Sequence, residues 1–313
     1  MAVYITGSVA YDRIMNFSGK FADSILPDRT DNLNVSFYID SMEEKPGGNA
    51  GNMAHTLKLL GENSVILACV GKDFGPYKEL LQKRGLPLDG IRQIDGERTA
   101  AAYIITDSAG NQITGFHAAA MLSQSAYAFP VLNPEDDLAV ISPSNPGDMR
   151  DHVRLYRERG IRYIYDPAQQ LPVIPRPDLL EGISGAYLLV GNDYEIGLIM
   201  KSAGRGRKEL AATTARGLVT TRGEHGSLVT EKDGEETALP AVPVSVVADP
   251  TGAGDAYRAG LVKGILLKQP LLECARLGAT CAAYCVECRG TQEHDFSLDD
   301  FFRRHAGAFG EGL

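Results

Sequence analysis

The fold is decided at residues 247–260, which read VADPTGAGDAYRAG. The stretch predicts an apolar strand that leads into a glycine-rich turn and then a helix, so backbone N–H groups and the positive end of the helix dipole should meet in one concavity. Such a turn can hold an anion. Asp255 lies beside it, and this position suits a base that takes a proton from an attacking hydroxyl. The alternative is an acid that only complements the helix dipole.

The composition is that of an acidic chain with enough apolar residues for a large core. The 313 residues carry a net charge of −9, and 44% of them are hydrophobic. This favours one large α/β domain with an appendage and argues against a nucleic-acid binder, whose affinity rests on clustered Lys and Arg. Residues 1–7 lack a basic segment and an apolar core, and no uncharged apolar run approaches about 18 residues. We therefore expect no signal peptide, no membrane span and a cytoplasmic location.

Five cysteines, an odd number, do not suggest a disulfide framework. Cys281, Cys285 and Cys288 have the spacing of the iron–sulfur motif in radical enzymes that use S-adenosylmethionine, which would be a different function. Together with Cys274 they also share one face of a predicted helix, as buried cysteines do. A cluster-binding triplet belongs on a loop, so the helical pattern favours buried thiols.

Two features near the N-terminus predict polar groups at the carboxyl edge of a parallel sheet. Residues 3–6 predict the first strand, and Asp12 follows it, where its carboxylate can accept hydrogen bonds from two vicinal hydroxyls. The alternative is a solvated loop Asp. The sequence Pro46-Gly47-Gly48-Asn49 precedes a helical pattern that ends near Gly61. Its glycines permit close backbone approach to a ligand, although a glycine pair before a helix is more often a plain turn.

Two segments rich in β-branched and aromatic residues lack a helical period. Residues 13–45 include an alternating pattern at 33–39, which predicts a strand. Residues 99–106 and 112–116 flank a turn-rich loop and predict a hairpin. Together these segments predict a small, discontinuous β lid outside the main sheet.

The middle of the chain alternates strands and helices at roughly 20 to 30 residues per unit, which predicts an open, doubly wound, mainly parallel sheet. Strands are expected at residues 64–70, 138–141, 162–165 and 185–190. After the last of these, Asn192 and Glu195 are three residues apart on one helix face, a spacing that a capping box would also explain. A further strand at 215–220 leads into Thr221, Gly223 and Gly226, which equally suit a hairpin turn.

The glycine turn at 250–255, the helix start at 46–54 and the polar motifs between them resemble the ribokinase-like, or PfkB, family of sugar and nucleoside kinases. The resemblance covers nearly the whole chain and implies a ribokinase-like fold that uses ATP and Mg²⁺, with K⁺ as a further candidate. One departure is Pro250, where most members have Thr. By motif, the resemblance implies an anion hole at Gly252, Ala253 and Gly254, the catalytic base Asp255, substrate contacts at Asp12, Gly47, Gly48 and Asn52, Mg²⁺ held through water by Asn192 and Glu195, and ATP contacts at Asn192, Thr221, Gly223 and Gly226.

The resemblance also divides the chain and suggests its substrate. Residues 1–12, 46–97 and 118–313 form the large α/β domain, and residues 13–45 and 98–117 form the lid. Within the family, residues 3–15 and 112–121 look most like adenosine or nucleoside kinases, and the predicted reaction phosphorylates a nucleoside 5′-hydroxymethyl group. Tyr11, Phe37 and Phe116 are the candidate aromatic surface for a base, with lid packing as their alternative role. The competing hypotheses are a sugar kinase and a nucleotide-binding regulator without catalysis. We expect a monomer or a homodimer formed through the lid.

Overall fold

The computed structural model describes residues 2–25 and 34–310. In those ranges the chain forms thirteen strands and ten α-helices. The strands are β1 (Val3–Thr6), β2 (Ala10–Asn16), β3 (Ser41–Gly47), β4 (Ser64–Val70), β5 (Ile91–Gln93), β6 (Ala100–Thr106), β7 (Gln112–His117), β8 (Leu138–Ile141), β9 (Arg162–Tyr165), β10 (Leu188–Asn192), β11 (Gly217–Thr221), β12 (Ser227–Glu231) and β13 (Glu236–Leu239). The helices are α1 (Phe21–Ser24), α2 (Asn49–Leu59), α3 (Gly75–Lys83), α4 (Pro146–Arg159), α5 (Arg176–Gly185), α6 (Asp193–Ala203), α7 (Arg207–Ala212), α8 (Ala253–Leu266), α9 (Leu271–Val286) and α10 (Leu298–Phe309).

A nine-stranded sheet of order β13-β12-β11-β10-β9-β8-β1-β4-β5 forms the centre of the large domain. The seven neighbouring strands β5, β4, β1, β8, β9, β10 and β11 pair in parallel. Strands β12 and β13 add an antiparallel edge beside β11. Since β1 lies between β4 and β8, the chain winds outward in both directions from β1, and the carboxyl ends of these parallel strands meet at one edge. The predicted doubly wound sheet is confirmed.

Alternating side chains of the sheet build a separate core on each face. In β1, Val3 and Ile5 pack in the cluster that includes α2, α8 and α9, whereas Tyr4 packs in the cluster that includes α4, α5 and α6. A parallel strand covered by helices on both faces is apolar at every position, because successive side chains point to opposite faces. This explains why these strands appear in the sequence as short, continuous apolar runs.

A second sheet of four strands, in the order β3-β2-β6-β7, draws on both of the predicted β-rich segments. The hairpin is present as β6 and β7, which pair antiparallel. The strand predicted at 33–39 is wrong for residues 34–39, which are irregular, and Leu33 lies outside the described residues. The aromatic there serves packing instead, since the Phe37 ring lies 5.0 Å from both Phe17 and Phe21.

Helix α8 packs closely against α9 and carries the glycine turn at its start. A Cβ on Gly260 would come within 2.6 Å of the Gly278 backbone, so glycine permits this close helix–helix approach. Cys281 and Cys285 are buried within α9, as the helical pattern predicts. Burial raises the pKa of both thiols, and that of Cys285 reaches about 12. Cys288 lies beyond the end of α9 and is half-buried, so the predicted common helix face is wrong for this residue, but Cys281 and Cys285 lie in a helix and not on the loop that an iron–sulfur triplet needs.

Candidate active site

The strand predicted before the glycine turn is wrong, since residues 240–250 are irregular. The turn itself is present at the carboxyl edge of the large sheet, and Gly252 caps helix α8. Gly252 has φ +82°, in the left-handed region that favours glycine, and a Cβ there would lie 2.9 Å from the Cβ of Thr291. Helix α8 therefore begins at Ala253 with its first N–H groups facing outward, since the first turn of a helix has no intrahelical acceptors for them. Gly254 lies above the Arg258 guanidinium, which a Cβ would approach to 2.7 Å.

Asp255 lies in the first turn of α8 and is half-buried, with 17% of its side chain exposed, beside the buried side chains of Asn52 and Arg258. Its Oδ2 accepts a hydrogen bond of 2.8 Å from Nδ2 of Asn52, at the start of α2. Its Oδ1 lies 3.9 Å from NH1 of Arg258, one helical turn away. Burial raises the pKa of the Asp255 carboxyl, and Arg258 and Asn52 oppose that rise. Oδ1 accepts no hydrogen bond within residues 2–25 and 34–310, so it faces the site as an available acceptor.

A chain of buried polar side chains holds Asn52 in place. Oδ1 of Asn52 accepts a hydrogen bond of 2.9 Å from Nε2 of Gln292. Gln292 in turn accepts one of 2.5 Å from NH1 of Arg84 and donates to the hydroxyl oxygen of Tyr77. Tyr77 donates to the Gly47 carbonyl at 2.8 Å. The same network therefore orients the base and the glycine loop predicted to contact substrate.

Asp12 lies within β2 of the small sheet and not in an exit loop after the first strand of the large sheet, contrary to the prediction from its sequence position. A Cβ on Gly47 would come within 2.3 Å of Oδ2 of Asp12, so the glycine makes room for this carboxylate. Burial raises the pKa of Asp12 to about 6, and the charges of Asp255 and Asp249 add to the rise. The predicted substrate acid therefore lies close enough to the predicted base for the charge of Asp255 to raise the pKa of Asp12.

Phe116 shares a face of the small sheet with Asp12. Asp12 pairs with Ala102 across β2 and β6, and Ala102 pairs with Phe116 across β6 and β7. Directly paired residues project to the same face of a sheet. Phe116 is 54% exposed and is free to contact a ligand on the side of Asp12. Tyr11 is buried and donates to the carbonyl of Asp73, which makes it core, the alternative considered from sequence.

Phe37 likewise has the packing role, in the aromatic group beside α1. Of the three aromatic candidates for base contact, Phe116 alone keeps the exposure and direction that such a contact requires. Gly48, which follows Gly47 in the chain, is the N-cap residue of α2.

Asn192 and Glu195 form the capping box that their spacing allows. Glu195 N donates to Oδ1 of Asn192 and Asn192 N donates to Oε2 of Glu195, each at 2.8 Å. This box begins helix α6 at the carboxyl end of β10, on the same edge as Asp255. Oε1 of Glu195 accepts no hydrogen bond from any residue that the structure describes. The pair therefore keeps an oxygen that can bind a water of a hydrated cation.

Thr221, Gly223 and Gly226 lie where β11 turns into β12, at the same edge. The two strands pair antiparallel, so the loop is a hairpin, the alternative that its sequence left open. Gly226 ends the turn with φ +74°. The loop follows the strand beside β10, which puts it next to the Asn192 capping box.

Several residues of this site carry no motif. Arg258 and Asp166 form a buried ion pair, in which NH2 of Arg258 donates to Oδ1 of Asp166 at 2.9 Å. Asp166 follows β9 directly, so the rule that polar groups collect at carboxyl strand ends could have found it. Arg258 is three residues after Asp255, and this spacing on a predicted helix would have indicated that the two side chains are neighbours on one helix face. Gln292 and Tyr77 gave no sequence signal, because their partners are more than 200 residues away or in another element.

Comparison with known proteins identifies the family. The family model for pfkB family carbohydrate kinases matches residues 7–297 of this chain. The chain belongs to the PfkB family. This PfkB chain is 32% identical over 265 residues to a nucleoside kinase of Methanocaldococcus jannaschii, with 83% of this chain and 85% of the relative covered. It is 30% identical over 287 residues to a nucleoside kinase of Methanothermobacter thermautotrophicus, covering 88% and 90% of the two chains.

Solved structures agree with the family and the fold. A Burkholderia thailandensis nucleoside kinase in complex with inosine is 34% identical to this PfkB chain, with 98% of both chains covered and a TM-score of 0.88. The M. jannaschii nucleoside kinase, an archaeal member of the ribokinase family, is 28% identical with a TM-score of 0.87. The ribokinase-like fold is confirmed, and the chain is a phosphotransferase that acts on a hydroxyl group. No helix within the described ranges has the length and apolar character to cross a bilayer.

Proposed function

We propose that this chain is an ATP-dependent nucleoside kinase that phosphorylates the 5′-hydroxymethyl group, with adenosine as its substrate. The observation that carries the proposal is the state of Asp255: Asn52 binds Oδ2, and Oδ1 accepts no hydrogen bond from the described residues. A carboxylate fixed by one oxygen beside a helix N-terminus is suited to accept a proton where an anion is held. The regulator hypothesis would require this base or the glycine turn to be missing.

The proposed reaction is an in-line phosphoryl transfer. The hydroxymethyl oxygen forms a bond to the γ-phosphorus while the bond from that phosphorus to the β–γ bridging oxygen breaks, and ADP leaves with the electron pair. Oδ1 of Asp255 takes the hydroxyl proton. The amides of the turn at Gly252, Ala253 and Gly254 stabilise the charge on the transferring group, because they are oriented before the reaction begins. Most of the rate enhancement then comes from positioning.

Two side chains on one face of the small sheet, Asp12 and Phe116, favour a nucleoside over a free sugar. Asp12 suits a vicinal diol, which ribose in either form would offer. Phe116 adds an aromatic face on the same side of the lid sheet, and only a nucleoside has a base to stack on it. The curated relatives at 30–32% identity are nucleoside kinases, and the B. thailandensis nucleoside kinase of similar fold was solved in complex with inosine. Gly47 and Gly48 complete the proposed substrate contacts.

The nucleotide is proposed to lie along the edge from β10 to β12, near Asn192, Thr221, Gly223 and Gly226. The oxygens of Asn192 and Glu195 are the kind that Mg²⁺ prefers, and the unengaged Oε1 of Glu195 fits a metal held through water. When bound, Mg²⁺ neutralises phosphate charge. A K⁺ requirement is tested by initial rates in Tris buffer with and without potassium, and equal rates would exclude it.

The deciding experiment is a panel of acceptors assayed with ATP: adenosine, guanosine, inosine, cytidine, ribose and fructose 6-phosphate. We expect kcat/KM to be highest for adenosine and to be at least about 100-fold lower for ribose, since ribose lacks the base contact. Preference for ribose or fructose 6-phosphate would support the sugar-kinase hypothesis instead. The Asp255→Asn variant, run on the same panel, controls for contaminating kinases.

The lid is proposed to comprise residues 13–45 and 98–117, together with the ends of the small sheet that extend beyond these bounds, since β2 begins at Ala10 and β3 ends at Gly47. The remainder is proposed as the large domain, with a cytoplasmic location for the whole. Strand β7 is exposed along its full length and forms an edge of the small sheet. Such an edge is available for pairing with a second copy. Light scattering coupled to gel filtration distinguishes the monomer from the homodimer.

A further inference from the structure

Arg258 is a buried cation that faces a set of carboxylates from three different elements. Its side chain is 10% exposed. It pairs closely with Asp166, lies 3.9 Å from Asp255 Oδ1 and lies 4.0 Å from Glu195 Oε2. The guanidinium therefore lies between the carboxylate of Asp255, the proposed base, and that of Glu195, which is proposed to bind Mg²⁺ through water. It makes a strong hydrogen bond to neither.

Asp166 determines where this guanidinium lies. Both of its carboxylate oxygens face Arg258: Oδ1 accepts from NH2 at 2.9 Å, and Oδ2 forms an ion pair with Nε. A two-point contact between a carboxylate and a guanidinium fixes orientation as well as distance. Asp166 is itself fixed, because its backbone N–H donates to the Ile141 carbonyl at 2.8 Å.

The backbone after Asp166 is held in an unfavourable conformation. Ala168 is buried and has φ +31°, a value that residues with a Cβ rarely adopt. Strain of this kind is retained where the surrounding structure needs a loop in one place, and here the loop carries the partner of Arg258.

Without Asp166, the nearest carboxylate acceptor for the guanidinium would be Asp255. Arg258 and Asp255 are three residues apart on one helix, a spacing at which Arg and Asp side chains readily pair. A direct hydrogen bond from Arg258 to Oδ1 would leave Asp255 with both oxygens engaged, since Asn52 already binds Oδ2. The base would then have no free oxygen directed at the substrate.

We infer that Asp166 is a positioning residue that binds Arg258 and so keeps Oδ1 of Asp255 free to accept the substrate proton. The inference rests on the proposed role of Asp255 as the base. Arg258 remains near enough to favour the charged carboxylate but does not occupy its accepting oxygen. Asp166 thus acts on the reaction through Arg258, without contacting the substrate.

The test is a double-mutant cycle on Asp166 and Arg258, with kcat and KM measured for the best acceptor and for ATP. We expect Asp166→Asn to lower kcat more than about fivefold while both KM values change less than about twofold, because binding surfaces are untouched. In the Arg258→Met background the same Asp166→Asn change should alter kcat less than about twofold, since no guanidinium is left to be positioned.

Two results would overturn the inference. One is a kcat for folded Asp166→Asn within about fivefold of the unsubstituted enzyme, and the other is an equal loss of kcat from Asp166→Asn in both backgrounds. If Asp166→Asn does not fold, Asp166→Ser replaces it in both backgrounds, and the same two results would overturn the inference. The double variant replaces a buried ion pair by neutral side chains, a change that proteins often tolerate.

Two control variants distinguish the positioning role of Asp166 from the proposed role of Asp255 as the base. Glu62→Gln breaks another shielded ion pair of the same helix, with Lys263 at 2.6 Å, and should leave kcat unchanged. Asp255→Asn tests the base itself. An active Asp255→Asn enzyme would refute the proposed mechanism, whereas an inactive Asp255→Asn enzyme beside a fully active Asp166→Asn enzyme would refute the positioning role alone.

Discussion

Asn52 donates a hydrogen bond of 2.8 Å to Oδ2 of Asp255, across a separation of 203 residues. The bond joins the first turn of α2 to the first turn of α8, so the two glycine-rich helix starts become one site. It also assigns a task to each oxygen of Asp255, because the oxygen bound by Asn52 is not the one that faces Arg258.

Replacing the base should abolish turnover without abolishing nucleotide binding. Asp255→Asn keeps the shape and the Asn52 contact region but loses the proton acceptor, so we expect kcat to fall by about 10³ or more. Affinity for ATP, measured by calorimetry, should stay within about threefold, since the turn amides are unchanged. A variant with near-normal kcat would exclude Asp255 as the base.

Removing the amide that orients the base should lower kcat more than it raises KM. In Asn52→Ala the Asp255 carboxylate can rotate, and Gln292 loses an acceptor, so we expect kcat to fall by about 10- to 100-fold. The free energy of unfolding, from urea titration, should fall by about 1–3 kcal/mol because buried polar groups lose partners.

The matched control is Asn63→Ala, which removes an amide that accepts from Lys58 at an exposed site. We expect it to change neither kcat nor stability by a measurable amount. Equal kinetics for Asn52→Ala and Asn63→Ala would show that the bond to Asp255 has no bearing on the reaction.

The exposed aromatic of the lid should matter for nucleosides and not for free sugars. Phe116→Ala removes a stacking surface worth about 1 kcal/mol or more, so KM for adenosine should rise about five- to tenfold. Activity with ribose, where detectable, should not respond. Ile113→Ala is the control, since Ile113 lies three positions along β7 and projects to the opposite face. A response of both variants alike would indicate damage to the sheet.

Asp12 should make stability depend on pH in an unusual direction. Its pKa is raised from 3.8 to about 6, chiefly by burial, so the folded state binds its proton more tightly than the unfolded state does. The stabilisation from this proton is complete below about pH 4 and is lost as pH rises through about 6. Asp12→Asn should therefore be more stable than the unsubstituted protein at pH 7, by on the order of 3 kcal/mol.

The stability difference should vanish toward pH 4, which urea titrations at both pH values would reveal. The same substitution should raise KM for the nucleoside, because an amide replaces a carboxylate that accepts from hydroxyls. A variant that is equally stable at pH 7, or less stable there, would contradict the burial of a charged Asp12.

Much of the fold could be predicted from the sequence because it depends on local residue patterns. The strands β1, β4, β8 and β9 coincide with their predicted ranges, since apolar runs buried on both faces leave few alternatives. The prediction at 34–39 was wrong because it rested on alternation, which indicates which side chains are covered and not what covers them. There, Phe37 packs on other aromatics and not in a sheet.

The sequence by itself determined the glycine turn before α8, the alternation of strands and helices in the middle of the chain, and the resemblance that led to the family. These depend on backbone conformation and on residues close in the chain, so a single stretch carries the information. Tertiary structure decided which side chains meet. The Arg258–Asp166 pair spans 92 residues, and the contacts of Gln292 span 208 residues to Arg84 and 240 to Asn52. Such contacts depend on how helices and strands pack, which no local pattern specifies.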